Sequence, residues 1–178
     1  MSTMPLVTNA NATSDQAEAL SATKRTLGAV PNLTRAMANS PALLRGYLHL
    51  VADLESGVLP VATRERLAIA IAQSNGCSYC LSAHSYTGQR IAALSSEQVD
   101  AARKADADDS KTAAILAFAV AVNEQRGQID EAVLAAVRRA GVTDAEITEV
   151  IGHVALNVLT NYFNNVVHTE IDFPLVAA

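Results

Sequence analysis

Apolar positions along the chain recur at three- and four-residue intervals, separated by short polar runs, which is the pattern of amphipathic helices packed on a core. The spacing predicts helices at about 14–27, 32–38, 41–55, 61–74, 77–92, 96–104, 110–125, 131–140 and 144–168. Their starts carry recognisable signals. Ser40 precedes Pro41, and Ser95 to Gln98 and Thr143 to Glu146 have the form of capping boxes. Asp130 is expected to cap the helix that Gly141 ends. Residues 66–72 alternate large and small apolar side chains, which fits either a buried strand or a helix that is apolar all round. Their alanine content and the lack of any other convincing strand favour the helix. The fold class expected is therefore all-α, a single domain over residues 1–178 with 1–13 and 174–178 as loosely held tails.

Composition agrees with that reading. Half of the 178 residues are hydrophobic, aromatics are 4% and Trp is absent, while the mean hydropathy of +0.18 supplies ample apolar surface for a core. Thirteen Lys and Arg against eighteen Asp and Glu leave a net charge of −5 without a basic cluster, which argues against nucleic acid or an anionic membrane as partner. The longest apolar run, Ala113 to Val122, is too short to cross a bilayer. The first residues lack the charged and apolar regions of a secretory leader, so a cytoplasmic location is expected. Asp106, Asp108 and Asp109 lack the spacing of a calcium loop and read as a polar connection.

The chemistry concentrates in one stretch. Cys77 and Cys80 are the only cysteines, and such a close pair in a reducing compartment points to redox or metal chemistry. Asn75-Gly76 ends one helix and lets the next begin at or near Cys77. At ~100° per residue, Cys77, Cys80 and His84 fall within about 60° of one another on one face, with Tyr79 turned away. Thiols in the first turn of a helix are stabilised as thiolates by the free N–H groups and the positive dipole end, most of all Cys77. His84, one turn on, is suited to exchange a proton with them. Glu65 joins this face if its helix packs back on the next.

Glu65, the Cys77-x-x-Cys80 pair and His84 at this spacing, with Ser40-Pro41, Gly57 and the Asn161 to Pro174 region more loosely, resemble the alkylhydroperoxidase AhpD-like branch of the carboxymuconolactone decarboxylase superfamily. The resemblance implies an AhpD-like helical fold, assembly into trimers or hexamers, and reduction of hydroperoxides without haem, flavin or metal. It further implies that Cys80 is the peroxidatic thiol and Cys77 the resolving one, with Glu65 and His84 as a proton relay reaching Cys80 through water and Cys77. A dithiol or lipoylated protein would be the reductant, and a peroxiredoxin a possible client. Tyr79 departs from the family, whose best-studied members place a relay histidine between the cysteines.

Other readings use the same residues. Lactone or decarboxylation chemistry would need only Glu65 and His84 as acid–base groups. A redox sensor, or a helical binding module with zinc held by Cys77, Cys80, His84 and Glu65, would use the thiols without turnover. His49 and His153 read as packed or hydrogen-bonded residues, and Tyr47, Tyr86 and Tyr162 as core or interface residues. A shift of 84 positions lays Gly57-Val58 on Gly141-Val142, Glu65 on Glu149 and His84 on His168, with the cysteines on Asn161 and Asn164. On that basis 57–92 and 141–176 are expected to be two copies of one helical hairpin, whose second copy puts Asn161, Asn164 and His168 on a polar face that either lines the active cleft or joins subunits.

Overall fold

The computed structural model describes residues 2–178, and among them every regular element is a helix. In chain order these are α1 (Ser14–Leu27), α2 (Asn32–Met37), α3 (Pro41–Glu55), α4 (Val61–Ser74), α5 (Ser78–Arg90), α6 (Ser96–Ala102), α7 (Ser110–Glu124), α8 (Glu131–Arg139) and α9 (Asp144–Val167). Starts fall where the capping residues place them. Thr13, Ser95 and Thr143 form complete capping boxes with Gln16, Gln98 and Glu146, and Ser40 caps α3 ahead of Pro41. Asp109 caps α7 and Asp108 accepts a 2.8 Å bond from Gln98, so the acidic loop is consumed in local structure. Asp130 occupies the N-cap position of α8 but makes no capping hydrogen bond, unlike the sequence reading.

The ambiguous segment 66–72 is helical and is the middle of the fold. In α4 the residues Leu67 to Ala72 are all buried, and α5, α6, α7 and α9 pack around it. Full burial of Leu67, Ile69 and Ile71 contributes roughly 1.5–3 kcal/mol each. The alternating large and small residues fill space on every side of α4, which is why no polar face interrupts them. α4 ends in a Schellman turn: Gly76 N–H bonds Gln73 and Cys77 N–H bonds Ala72 at 2.9 Å, with Gly76 at φ +61°.

The expected repeat is not present. Residues 57–92 form two helices joined at Asn75-Gly76, whereas α9 runs unbroken through Leu159 and Thr160, the corresponding positions. Without an Asn-Gly pair the helix has no reason to turn back. Glu149, aligned with Glu65, makes different contacts, and its carboxylate accepts the backbone N–H groups of Val58 (2.7 Å) and Leu59 (3.0 Å). Gly57 is needed there, because an added Cβ would overlap that carboxylate.

Both end segments are tied down where loosely held tails were expected. Thr3 bonds the carbonyl of Val167 through its N–H and its hydroxyl, and Val7 is buried. The stretch after α9 lies along α5. Ser82 Oγ receives the N–H of Val176 at 2.9 Å and donates to its carbonyl, and Arg103 donates to the carbonyl of Ala177.

Candidate active site

The turn between α4 and α5 is held by an amide network. Asn75 donates to Asn161 of α9 (3.0 Å) and exchanges hydrogen bonds with Asn123 of α7, while Asn165 donates to the Asn75 carbonyl. That clamp fixes Cys77 at the N-cap of α5, where its sulfur accepts the N–H of Cys80 at 3.2 Å. A thiol here takes the place usually held by Ser or Asp, whose oxygen satisfies a free first-turn donor.

Both cysteines are free and buried, Cys77 completely and Cys80 at 3% exposure. Cys80 receives a 3.2 Å hydrogen bond from the Asn164 side-chain amide, contributed by α9. A hydrogen bond from Cys80, the Cys80 backbone N–H and the nearby His84 and Tyr79 N–H outweigh burial and hold the Cys77 thiol below its ordinary range. Cys80 is pushed the other way, first by its bond to Cys77, then by burial and the Cys77 charge, against the pull of Asn164 and Asn161. The two sulfurs thus form one hydrogen-bonded pair in which the surroundings favour negative charge on Cys77 over Cys80.

The acid–base pair is assembled as the spacing requires. His84 Nδ1 lies 3.0 Å from Glu65 Oε2, and Thr87, one turn further along α5, donates to the same oxygen at 2.8 Å. Gly88, on the next turn, packs against Leu94, whose side chain an added Cβ would meet at 3.1 Å. Burial pushes Glu65 upward, but the His84 charge and hydrogen bond, Thr87 and Arg64 more than offset it, and the carboxyl stays ionised below its usual range. Burial pulls His84 down, and the Glu65 charge and bond overcome it, so the imidazole holds its proton to higher pH than usual. The pair is a carboxylate and an imidazolium over the lower neutral range, poised to pass one proton.

Glu65, Cys77, Cys80 and His84 are thus gathered where the helical face placed them. Thr87 and Asn164 complete the set. The signal for Thr87 is its position one turn beyond His84. The repeat places Asn164 on a polar face, but it reaches the cysteines because α9 packs on α5, with no repeat needed. His153 of α9 is buried and neutral, its pKa pushed down to about 4 by burial and the Arg64 charge. His49 is exposed on α3 rather than packed or hydrogen-bonded as expected. Among the described residues no three His, Cys, Asp or Glu side chains converge as a metal-ligand set.

The Tyr79 hydroxyl is bonded away from the cysteines. It donates to Asp172 at 2.8 Å and accepts the Leu33 N–H at 3.1 Å, while Asp172 also accepts the Asn32 N–H at the start of α2. Phe173 meets the ring edge-on at 5.8 Å. The residue between the cysteines therefore fastens α5 to α2 and to the segment after α9. Tyr79→Phe leaves the buried Leu33 N–H without an acceptor and is expected to lower unfolding stability by about 1–3 kcal/mol in urea. The rate of disulfide formation should change little, which separates this role from a relay.

Comparison with known proteins fits this geometry. Residues 40–124, which hold all four residues of the sequence-read site, match the Carboxymuconolactone decarboxylase family model. The chain is similar in structure to an uncharacterized peroxidase-related protein with an alkylhydroperoxidase AhpD core from Ralstonia eutropha JMP134, at TM-score 0.83 and 24% identity over 96% of this chain and 92% of that one. A peroxidase-related protein from Silicibacter sp. TM1040 gives 0.81 and 21% over 95% and 91%. The debrominase Bmp8, in complex with 2,3,4-tribromopyrrole, gives 0.78 and 19% over 96% and 91%. No curated protein matches the chain. The family resemblance read from the sequence holds, and the fold is the AhpD-like all-helical one.

Proposed function

We propose that the protein is a thiol-dependent peroxidase that reduces organic hydroperoxides through Cys77 and Cys80. The observation that carries this reading is the Cys77 sulfur capping the first turn of α5, with Cys80 aimed at it and the Glu65–His84 pair on the same face. The Cys77 thiolate takes the Cys80 proton, and the His84 imidazolium, held charged by Glu65, relays a proton by way of water toward the leaving group. The Cys80 thiolate, held by Asn164, attacks the terminal peroxide oxygen. The O–O bond breaks, Cys80 becomes a sulfenic acid, and the alkoxide leaves as an alcohol with the relayed proton. Cys77 then displaces water from the sulfenic acid, closing a disulfide that a dithiol donor, such as a lipoylated protein, reopens by exchange. The same donor is the route by which a peroxiredoxin client would connect. Assembly into a trimer or hexamer is consistent with Ile151, Tyr162 and Val166 standing exposed along α9. Among the described residues no helix is long and apolar enough to cross a membrane.

The test is steady-state consumption of cumene hydroperoxide by reduced protein with dihydrolipoamide in excess. Many equivalents consumed per chain, with loss of turnover on removing either cysteine, supports the enzyme. A single equivalent consumed with any donor means a sensor. Lactone hydrolysis or decarboxylation that survives loss of both thiols would replace it with acid–base chemistry at Glu65 and His84. Because a debrominase shares the fold, a brominated pyrrole belongs in the same assay, and faster loss of bromide than of peroxide would reassign the reaction.

A further inference from the structure

Tyr47 of α3 has no part in the chemistry described so far. With Leu44, Leu48 and Val51 it falls on the face of α3 that turns to the core, and its ring packs against the buried residues there. A tyrosine so placed ordinarily ties its hydroxyl to a partner. The Tyr47 hydroxyl has none among the described residues, yet it is not sealed among the buried polar atoms. The charges that act on it are those of Cys80, Glu55 and Glu65, which puts it beside the redox pair. His84 marks the same place from α5. A third of its side chain, 33%, is accessible, although burial is the first influence on its imidazole. Accessible surface on a group dominated by burial belongs to a recess of the fold and not to its outer face. Glu65 borders both side chains, so Tyr47 and His84 open on one recess next to Cys80.

We propose that Tyr47 is a further catalytic residue, donating its hydroxyl hydrogen bond to the oxygen that leaves when Cys80 attacks a hydroperoxide. This role rests on the peroxidase reading. The Cys80 thiolate bonds the terminal oxygen with its electron pair, the O–O bond breaks, and the second oxygen carries the negative charge away as an alkoxide. A donor held at that oxygen lowers the barrier, because the charge develops there only as the bond breaks. The proton that completes the alcohol comes by way of His84, and Tyr47 keeps its own. Burial and the three negative neighbours push the phenol above its ordinary range, so it remains a donor at every working pH. The Thr87 and Tyr79 hydroxyls are already spent on Glu65 and Asp172. Attacking and leaving atoms then have one neutral donor each, Asn164 of α9 on the sulfur and Tyr47 of α3 on the oxygen.

Tyr47→Phe removes the hydroxyl and keeps the ring, and it breaks no hydrogen bond among the described residues. Single-turnover oxidation of the reduced variant by cumene hydroperoxide, followed as disulfide formation in stopped flow, should be slower than wild type by about tenfold to a hundredfold. Alkylation of the same reduced thiols by iodoacetamide, whose leaving iodide makes no call on an oxygen-directed donor, should stay within about twofold of wild type. A role in packing or in activating the thiols would slow both reactions together. Oxidation of Tyr47→Phe at the wild-type rate, or an equal loss in oxidation and alkylation, would overturn the proposal while the wild-type oxidation still supports the peroxidase. A wild type that cumene hydroperoxide does not oxidise would remove the peroxidase reading itself, and this role with it.

Discussion

Oxidised by one equivalent of cumene hydroperoxide, the Cys77→Ser protein is expected to accumulate a sulfenic acid on Cys80, whereas the wild type closes the Cys77–Cys80 disulfide and Cys80→Ser reacts slower by several orders of magnitude. Intact-mass spectrometry after rapid mixing reads all three outcomes. Cys77→Ser should also lose speed in the first step, by roughly tenfold, because a serine hydroxyl at the helix cap cannot be the anion that accepts the Cys80 proton. That second effect distinguishes a resolving thiol that also relays a proton from one that only waits for the sulfenic acid. If Cys80→Ser instead reacts at the wild-type rate and carries the sulfenic acid on Cys77, the roles are exchanged. The lowered proton affinity of Cys77 would then be the attacking thiol's own activation.

Glu65→Gln should move the pH profile of disulfide formation to higher pH and slow it about a hundredfold at neutral pH. The sign follows from the pair. Glu65 is what keeps the His84 imidazolium charged above its ordinary range, and the His84 charge is among the causes that hold Cys77 below a free thiol. With a neutral amide at position 65 the imidazole sheds its proton earlier, and the neighbouring thiol is no longer helped to ionise. The rising limb, set by thiolate, then begins closer to the ~8.5 of an unperturbed cysteine. Stopped-flow rates across a pH series check this, and superimposable wild-type and variant profiles would show that Glu65 has no part in activating the thiols. Thr87 offers an internal comparison, since its hydroxyl shares the Glu65 oxygen but carries no charge of its own.

The contrast between α4 and α9 shows how far the sequence could be read. Helix starts were legible because Ser, Thr and Asp act on N–H groups two or three residues away, a local interaction written in adjacent letters. The cysteine face was legible for the same reason, since Cys77, Cys80 and His84 are neighbours on one turn-and-a-half of helix. α4 needed a tertiary argument: alternation alone does not separate a strand from a helix buried on all sides. The supposed second hairpin failed because a few matched letters in alanine-rich sequence outweighed the missing Asn-Gly break. Asn164 was reached only through the supposed repeat and Asp172 only within the loosely matching C-terminal region, for they lie 84 residues from Cys80 and 93 from Tyr79, the side chains they touch. Only the packing of α9 on α5, and the path of the chain after it, brings them there.

Those long separations bear on biosynthesis. During translation at about 5–20 residues per second, α4 and α5 emerge together and can form their hairpin while α9 is still unmade. At that stage Asn75 lacks its partner on α9, Cys80 lacks Asn164, and Tyr79 has nothing to receive its hydroxyl proton. The nascent hairpin thus carries two thiols in a loosely defined turn, with Cys80 short of the amide that would steady its anion. Cys80 gains that partner only after more than eighty further residues have been added, so the geometry of the pair is completed by the last helix of the fold.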